Sequence, residues 1–424
     1  MKQIKSNNIL YVIDENAYQI TNDLDVEVIF VPEDKYSEYS ELNPTLSLTK
    51  YNYKTFRCTY ENEYFKPIED RYLTIEAITD TTVNFTKVNN QNKVIYYSED
   101  WGDTWAPLES TVTVTAGNGI FIKSDLVPIV DKTNRKYGIG EFVTTGTFNV
   151  SGNPLSLIKS DNFRGIKDIS NYPYIFASLF VENNGLISAK ELSLCSLTVS
   201  DSAYLSMFDS CANLIEVPTL PATKLDKYCY EYMFWGCTKI ENVQTCLPAT
   251  TLAYGCYLEM FSGCSSLKTA PKLPATTLAN YCYNKMFLNC TSLTTAPVLS
   301  ATKLTESCYA NMFDGCTSLT TVPALPATTL ANYCYSATFY GCTSLVNVPE
   351  LPATTLANGC YWSIFENCNK VNNITIKATD ISVTDCLKNW VKGVSGTGTI
   401  HIKNGVNYPT GVNGIPTGWT VETI

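Results

Sequence analysis

Cysteine is the residue type whose number and spacing most invite a chemical reading here. The chain has 17 cysteines, and most fall into two series with a common period. One series is Cys229, Cys256, Cys282, Cys308, Cys334, Cys360 and Cys386; the other is Cys211, Cys237, Cys264, Cys290, Cys316, Cys342 and Cys368. Each step is 26 residues except one of 27, where a residue is inserted near Gln244 to Cys246. Such an array could ligate zinc, form disulfides or simply pack. Zinc sites draw on closely spaced Cys and His pairs, but the chain has no C-x-x-C pair and a single histidine, His401. For disulfides, the spacing of Leu225, Cys229, Met233 and Cys237, with Tyr230 and Phe234 beside them, predicts one face of a helix at about 100° per residue. Two cysteines eight residues apart on that helix lie ~12 Å apart, and stacked helices sit ~8–10 Å apart. Both exceed the roughly 7 Å Cα separation a bridge tolerates. The thiols are therefore expected to be reduced and packed as small hydrophobes, with no metal and no cofactor.

Other chemistry-bearing residues are sparse. Ser98-Glu99-Asp100-Trp101-Gly102-Asp103-Thr104-Trp105 resembles the Asp-box of sialidase-type β-propellers, which would make a glycan-active enzyme an alternative. A single copy without further blades favours the other reading of these residues, a hairpin turn with Asp100 capping backbone N–H groups and Gly102 at positive φ. His401 lies in a strand-like Thr399–Lys403 segment without a nucleophile motif, and no G-x-S-x-G, P-loop or H-E-x-x-H occurs. No catalytic residue is assigned, and the chain is read as a non-enzyme.

Composition narrows the partners. A formal charge of −10 gives no electrostatic case for nucleic acid. Hydrophobic content of 45% against 17% charged residues marks a folded chain. No run of about 18 apolar residues offers a membrane span, so no membrane insertion is expected. The start of the sequence carries no signal-peptide core or lipid-attachment cysteine.

The elements that must position these residues divide the chain into four units. Residues 1–48 form a small acidic unit, with a strand at Val26 to Val31 and a brief helix through Tyr36 to Leu42. Residues 49–150 alternate with period two at sandwich-like spacing. Strands are expected at Tyr72–Ala77, Thr82–Thr86, Val94–Tyr97, Thr111–Thr115, Gly119–Lys123, Glu141–Thr145 and Gly146–Val150. Residues 151–377 hold the 26-residue units, each read as a helix, a tight turn and a short strand such as Leu319–Val322 ending at a proline. Residues 378–424 read as a β cap. The expected fold class is α+β: a small unit and a β-sandwich-like domain, then a curved solenoid with strands inside and helices outside.

The element Phe313-Asp314-Gly315-Cys316-Thr317-Ser318-Leu319-Thr320-Thr321-Val322-Pro323 resembles the BspA-like leucine-rich repeat. That family is frequent in surface proteins of gut Bacteroidota and in tail and fibre proteins of their phages. The resemblance covers roughly residues 176–390. It implies binding rather than catalysis: a phage virion component, tail- or fibre-associated, assembled in host cytoplasm, or alternatively a bacterial cell-surface adhesin. Other virion proteins would be met through residues 1–48, and a host surface protein or glycan through the repeats; a homo-oligomer is compatible with either. The residue after each repeat phenylalanine varies (Trp235, Ser262, Leu288, Asp314, Tyr340, Glu366) where core positions barely do. Together with Trp362, two after its cysteine, Trp235, Leu288 and Tyr340 are the candidate partner-binding residues, expected to be exposed along one ridge. A competing ladder is Thr219, Lys272, Val298, Ala324 and Glu350.

Overall fold

The structure is a computed structural model. It describes residues 68–424 except 101, 132–135 and 244–245, together with the backbone of five strands before residue 53. Those strands are β1 (Gln3–Asn8), β2 (Leu10–Val12), β3 (Asn16–Thr21), β4 (Val26–Phe30) and β5 (Ser47–Asn52). They pair as β1-β4-β2 and β3-β5. The helix expected through Tyr36 to Leu42 lies outside the described residues.

From residue 68 onward the alternating segments form β6 (Leu73–Ala77), β7 (Thr81–Lys87), β8 (Ile95–Ser98), β9 (Ala106–Pro107), β10 (Val112–Val114), β11 (Gly119–Ser124), β12 (Ile129–Asp131), β13 (Lys136–Gly138), β14 (Gly140–Thr144) and β15 (Phe148–Ser151). In β7, Thr81, Val83 and Phe85 point inward while Asn84 and Thr86 face solvent, the period-two signature of a half-buried strand. A short helix, α1 (Ser156–Lys159), follows, and β16 (Leu186–Ser188) completes a six-stranded sheet of order β16-β15-β6-β11-β8-β9. A second sheet has the order β10-β7-β14. At its centre the six-stranded sheet is antiparallel, Ile120 opposite Ile75 and Val150 opposite Ile75 on the other side. Its β15-β16 edge is parallel.

The 26-residue units overturn the expected fold class. Among the described residues the only α-helix is α1, and no leucine-rich-repeat solenoid of helices is found. The segment Leu225–Cys237, read as a helix, is a run of overlapping turns. Within it, Glu231, Met233, Trp235 and Cys237 donate their N–H groups three residues back, to the carbonyls of Tyr228, Tyr230, Tyr232 and Phe234. The intervening N–H groups of Tyr228, Tyr230, Tyr232, Phe234 and Gly236 reach out of the unit, to the carbonyls of Tyr254, Cys256, Leu258, Met260 and Ser262 in the next. Alternate amides thus close turns and bond to the neighbouring unit, so the backbone polar groups of the run are satisfied without a helix.

The cause of the misreading is a coincidence of period. Every fourth residue has positive φ: Tyr228, Tyr232 and Gly236; Gly255, Glu259 and Gly263; Tyr333, Ala337 and Gly341. Left-handed residues at that interval cannot sit in an α-helix. They wind the chain into a ribbon that repeats every four residues, close to the 3.6 of a helix. Buried pairs such as Cys229-Tyr230 and Met233-Phe234 therefore recur at the spacing that predicts an amphipathic helix. The expected strand Leu319–Val322 is reduced to a parallel bridge, Thr295 to Thr321, and a second bridge column joins threonines of neighbouring units, as Thr251 to Thr277. With no helices on the outside, the premise for a helix-driven curvature is gone.

Two ladders of rings fill the interior. Phe180, Phe208, Phe234, Phe261, Phe287, Phe313, Phe339 and Phe365 stack with centroid spacings from 5.4 to 6.0 Å. Tyr204, Tyr230, Tyr257, Tyr283, Tyr309, Tyr335 and Tyr361 form the second. Burying each such ring stabilises by roughly 1.5–3 kcal/mol. Phe142 of β14 stacks on Phe180 at 5.3 Å, so the sheet region passes its core directly into the stack. At the far end a parallel sheet, β17 (Asn373–Thr375), β18 (Thr399–Ile402) and β19 (Thr420–Thr423), continues the stack. Trp390, fully buried, stands at the position of the methionines and donates its Nε1 hydrogen to the Gly414 carbonyl at 3.0 Å.

Candidate binding surface

The cysteines are structural. Those of both repeat series are free and buried, whereas Cys246, at the inserted residue, is exposed. The second thiol of each unit donates to a phenylalanine carbonyl of the unit before: Cys237 to Phe208 at 3.1 Å, Cys264 to Phe234 at 3.2 Å, Cys290 to Phe261 at 3.1 Å and Cys316 to Phe287 at 3.1 Å. That carbonyl already closes a turn, and the thiol fills its second lone pair. Burial pushes these thiols up, Cys211 to about 12, which suppresses thiolate chemistry. The geometry that keeps them apart from other chemistry is therefore the ribbon and its carbonyl ladder, not helix spacing.

The Asp-box is a turn. Asp100 accepts from the Thr104 amide at 2.9 Å, from the Thr104 hydroxyl at 2.6 Å and from the Ser98 hydroxyl at 2.7 Å. Gly102 has φ 100°. Desolvation opposes the shift, but the Thr104 and Ser98 hydrogen bonds together outweigh it and hold the Asp100 carboxyl down at about 2. Trp105 packs edge-on against Tyr72, and the Lys123 ammonium lies 4.0 Å from its ring. His401 pairs with Glu422 across β18-β19, Nδ1 to Oε2 at 3.2 Å. Among the described residues no group of three or more His, Cys, Asp or Glu could hold a metal ion, and no helix is long and apolar enough to cross a membrane.

The variable residues lie on the outer side of the ribbon, but not all as exposed as expected. Trp235 is 40% exposed. Leu288, Tyr340 and Trp362 are half-buried, and Ser262 and Glu366 are buried, because neighbouring units flank them closely. Glu366 sits between Lys392 Nζ at 2.8 Å and the Ser363 hydroxyl at 2.6 Å. Of the competing ladder, Val298 is 68% exposed and Lys272, Ala324 and Glu350 are exposed, without aromatic company.

Tyr340 and Trp362 are brought together; Trp235 and Leu288 belong to other units. A hollow of about 320 Å³ opens over three successive units, lined by Asn311, Asp314, Tyr333, Ser336, Ala337, Tyr340, Trp362 and Ser363. Its floor is Ala337, a non-glycine residue at φ 50°. Other units carry Tyr232, Glu259, Lys285 or Asn311 there, and Glu259 and Lys285 of neighbouring units form an ion pair of 2.9 Å. The wall at Tyr333 depends on Gly359 in the next unit, where a Cβ would come within 2.4 Å of the ring. A second wall is Trp362, tilted 47° to Tyr333 at 6.1 Å, with the Lys388 ammonium 4.3 Å from its ring. Asn367 donates to the Tyr340 hydroxyl at 3.1 Å, fixing that side chain. Asn311 Nδ2 donates to Asp314 Oδ2 at 3.1 Å. Burial raises the Asp314 carboxyl above its ordinary value, against the Asn311 bond and the Lys285 charge. Sequence reasoning missed Tyr333 and the floor residue. The signal for Tyr333 was present in the alternation Tyr228, Gly255, Tyr281, Ser307, Tyr333, Gly359, large then small every second unit.

A further cleft, about 420 Å³, lies where the sheet meets the first units and is lined in part by Glu76, Asn149, Ser151, Glu191 and Glu216. Burial raises the Glu76 carboxyl, opposed by the Ser151 hydrogen bond and the Arg71 charge. Lys190 lies 3.9 Å from Glu216. Comparison of the chain with family models, with curated proteins and with solved structures returns no match.

Proposed function

We propose that the chain is a non-enzymatic binding protein that presents the outer face of its turn-built units to a host surface, as a tail- or fibre-associated component of a phage particle. One observation carries the binding part: inward positions and backbone amides are committed to stacking, while residue types change freely along the column Trp235, Ser262, Leu288, Asp314, Tyr340 and Glu366, of which Trp235 is exposed and Leu288, Asp314 and Tyr340 half-buried. A constant interior with a variable exterior is how a scaffold diversifies what it recognises. The virion setting is drawn from the repeat resemblance, and thiols kept reduced as carbonyl donors suit assembly in a reducing cytoplasm. The acidic unit 1–48 is proposed as the attachment end. The test is saturable binding of labelled full-length protein to intact cells of gut Bacteroidota, with the double variant Trp235→Ala, Tyr340→Ala as comparison. Binding that falls in the double variant with an unchanged circular dichroism spectrum supports the reading. Failure to bind any host, or turnover of a surface glycan by the protein, overturns it.

A further inference from the structure

The hollow over Ala337 brings together several groups that could hold one small ligand. Three aromatic side chains, Tyr333, Tyr340 and Trp362, surround a carboxylate and an amide, Asp314 and Asn311, with the Ser336 hydroxyl beside them. Aromatic faces take up the C–H face of a sugar ring, and a carboxylate beside an amide accepts and donates to its hydroxyls. The hollow's volume falls at the small end of those that hold compact ligands. Two charges narrow the ligand further. Asp314 within the hollow disfavours an anion. The Lys388 ammonium already lies 4.3 Å from the Trp362 ring, so a second cation entering an aromatic cage there would be repelled. A neutral, hydroxyl-rich ring meets neither obstacle.

We propose that this hollow is a saccharide-binding site for a neutral pyranose, resting against Tyr333, Tyr340 and Trp362 and hydrogen-bonded by Asp314 and Asn311. The inference rests on the binding reading above and names its ligand class. A small side chain, Ala337, stands in the hollow at the position where earlier units carry the paired Glu259 and Lys285. Gly359 sets one wall by letting the Tyr333 ring lie against the next unit.

The experiment is calorimetric titration of the full-length protein with maltotriose, cellotriose, mannotriose, galactotriose and triacetylchitotriose, with choline chloride as the cationic arm. At least one trisaccharide is expected to bind with Kd between ~10 μM and ~1 mM. Trp362→Ala and Tyr340→Ala should each weaken it by ~10-fold or more. Ala337→Asn is the variant that keeps the fold, because asparagine accepts positive φ better than alanine. It should hold or raise Tm while abolishing binding by filling the floor. Absence of binding by every trisaccharide at ~10 mM, preference for choline, or unchanged affinity in Ala337→Asn would overturn the site. Cell binding that persists undiminished in Trp362→Ala would leave the broader function standing while this assignment falls.

Discussion

The sheet region between residues 68 and 151 and the stack that follows it solve the same problem with different backbones. In the sheet, β6 bonds laterally to β11 and β15, and side chains alternate from face to face. In the stack, only every second amide bonds laterally, and the others close turns within the unit. The sheet therefore repeats every two residues and the ribbon every four. Both bury aromatic rings completely, Phe121 in β11 and Phe287 in the stack. The lesson is that lateral hydrogen bonding does not need extended strands; a chain of turns with a left-handed residue at each fourth position supplies it.

The harshest test of that equivalence is to remove one ring from each region. Phe121→Ala and Phe287→Ala should each cost ~3–5 kcal/mol, from lost burial and the cavity left behind. Phe287 lies between Phe261 at 5.8 Å and Phe313 at 5.6 Å, so its loss also interrupts the ladder. Chemical denaturation of both variants checks this. A nearly neutral Phe287→Ala would show that the stack does not depend on its rings as the sheet does.

A pH experiment distinguishes the regions next. Glu231, on the outer side of the ribbon, is raised from 4.5 to about 7 by burial and by the nearby Glu259 and Asp201 charges. Its folded value exceeds the unfolded one, so the native state holds the proton more tightly. That contribution is fully present below about 4.5 and is lost as pH rises through about 7. Glu231→Gln should thus be close to neutral at pH ~4 and stabilise by ~1–3 kcal/mol at pH ~8. In the sheet, Glu76 is also raised by burial, but Ser151 and Arg71 oppose the shift, so Glu76→Gln should show the same sign with smaller size. Equal stabilisation at both pH values for Glu231→Gln would contradict the burial of its carboxylate.

Legibility in the sequence followed the same divide. Period two has one common structural meaning, and the strands expected at Thr82–Thr86 and Gly119–Lys123 stand at Thr81–Lys87 and Gly119–Ser124. Period four has two meanings. Cys229, Met233 and Cys237 with Tyr230 and Phe234 fit a helix wheel and a turn ribbon equally well, and helix is the commoner solution. The residues that decide between them were in view: glycine or asparagine at Gly236, Gly263, Asn289, Gly315, Gly341 and Asn367 marks positive φ. Other left-handed positions, such as Tyr228, Glu259, Lys285 and Ala337, are held by types that carry no such mark. The core residues were legible because burial is the same in either geometry. The candidate site was legible only in part: Tyr333, Ala337 and Tyr340 come from one unit, but Asn311 and Asp314 of the unit before and Trp362 of the unit after join them through stacking between units. No helix wheel displays the relation between units.

The smallest effect gives the sharpest contrast, because its sign alone separates the two geometries. Ala337 sits in the middle of a segment whose spacing predicts a helix, yet its φ is 50°. In a helix, Ala337→Gly would destabilise by about 1 kcal/mol, since glycine is the poorer helix former. In the ribbon, alanine carries a left-handed penalty of ~1–2 kcal/mol that glycine does not, partly offset by the ~0.4–1 kcal/mol of extra freedom glycine brings to the unfolded chain. The expected outcome is a stabilisation of ~0.5–1 kcal/mol, read as a rise of a few degrees in Tm. A glycine placed in the middle of β7, such as Phe85→Gly, must destabilise in either case and serves as the reference for the sheet. A fall in stability for Ala337→Gly would restore the helical reading of the repeat and remove the ribbon from the comparison.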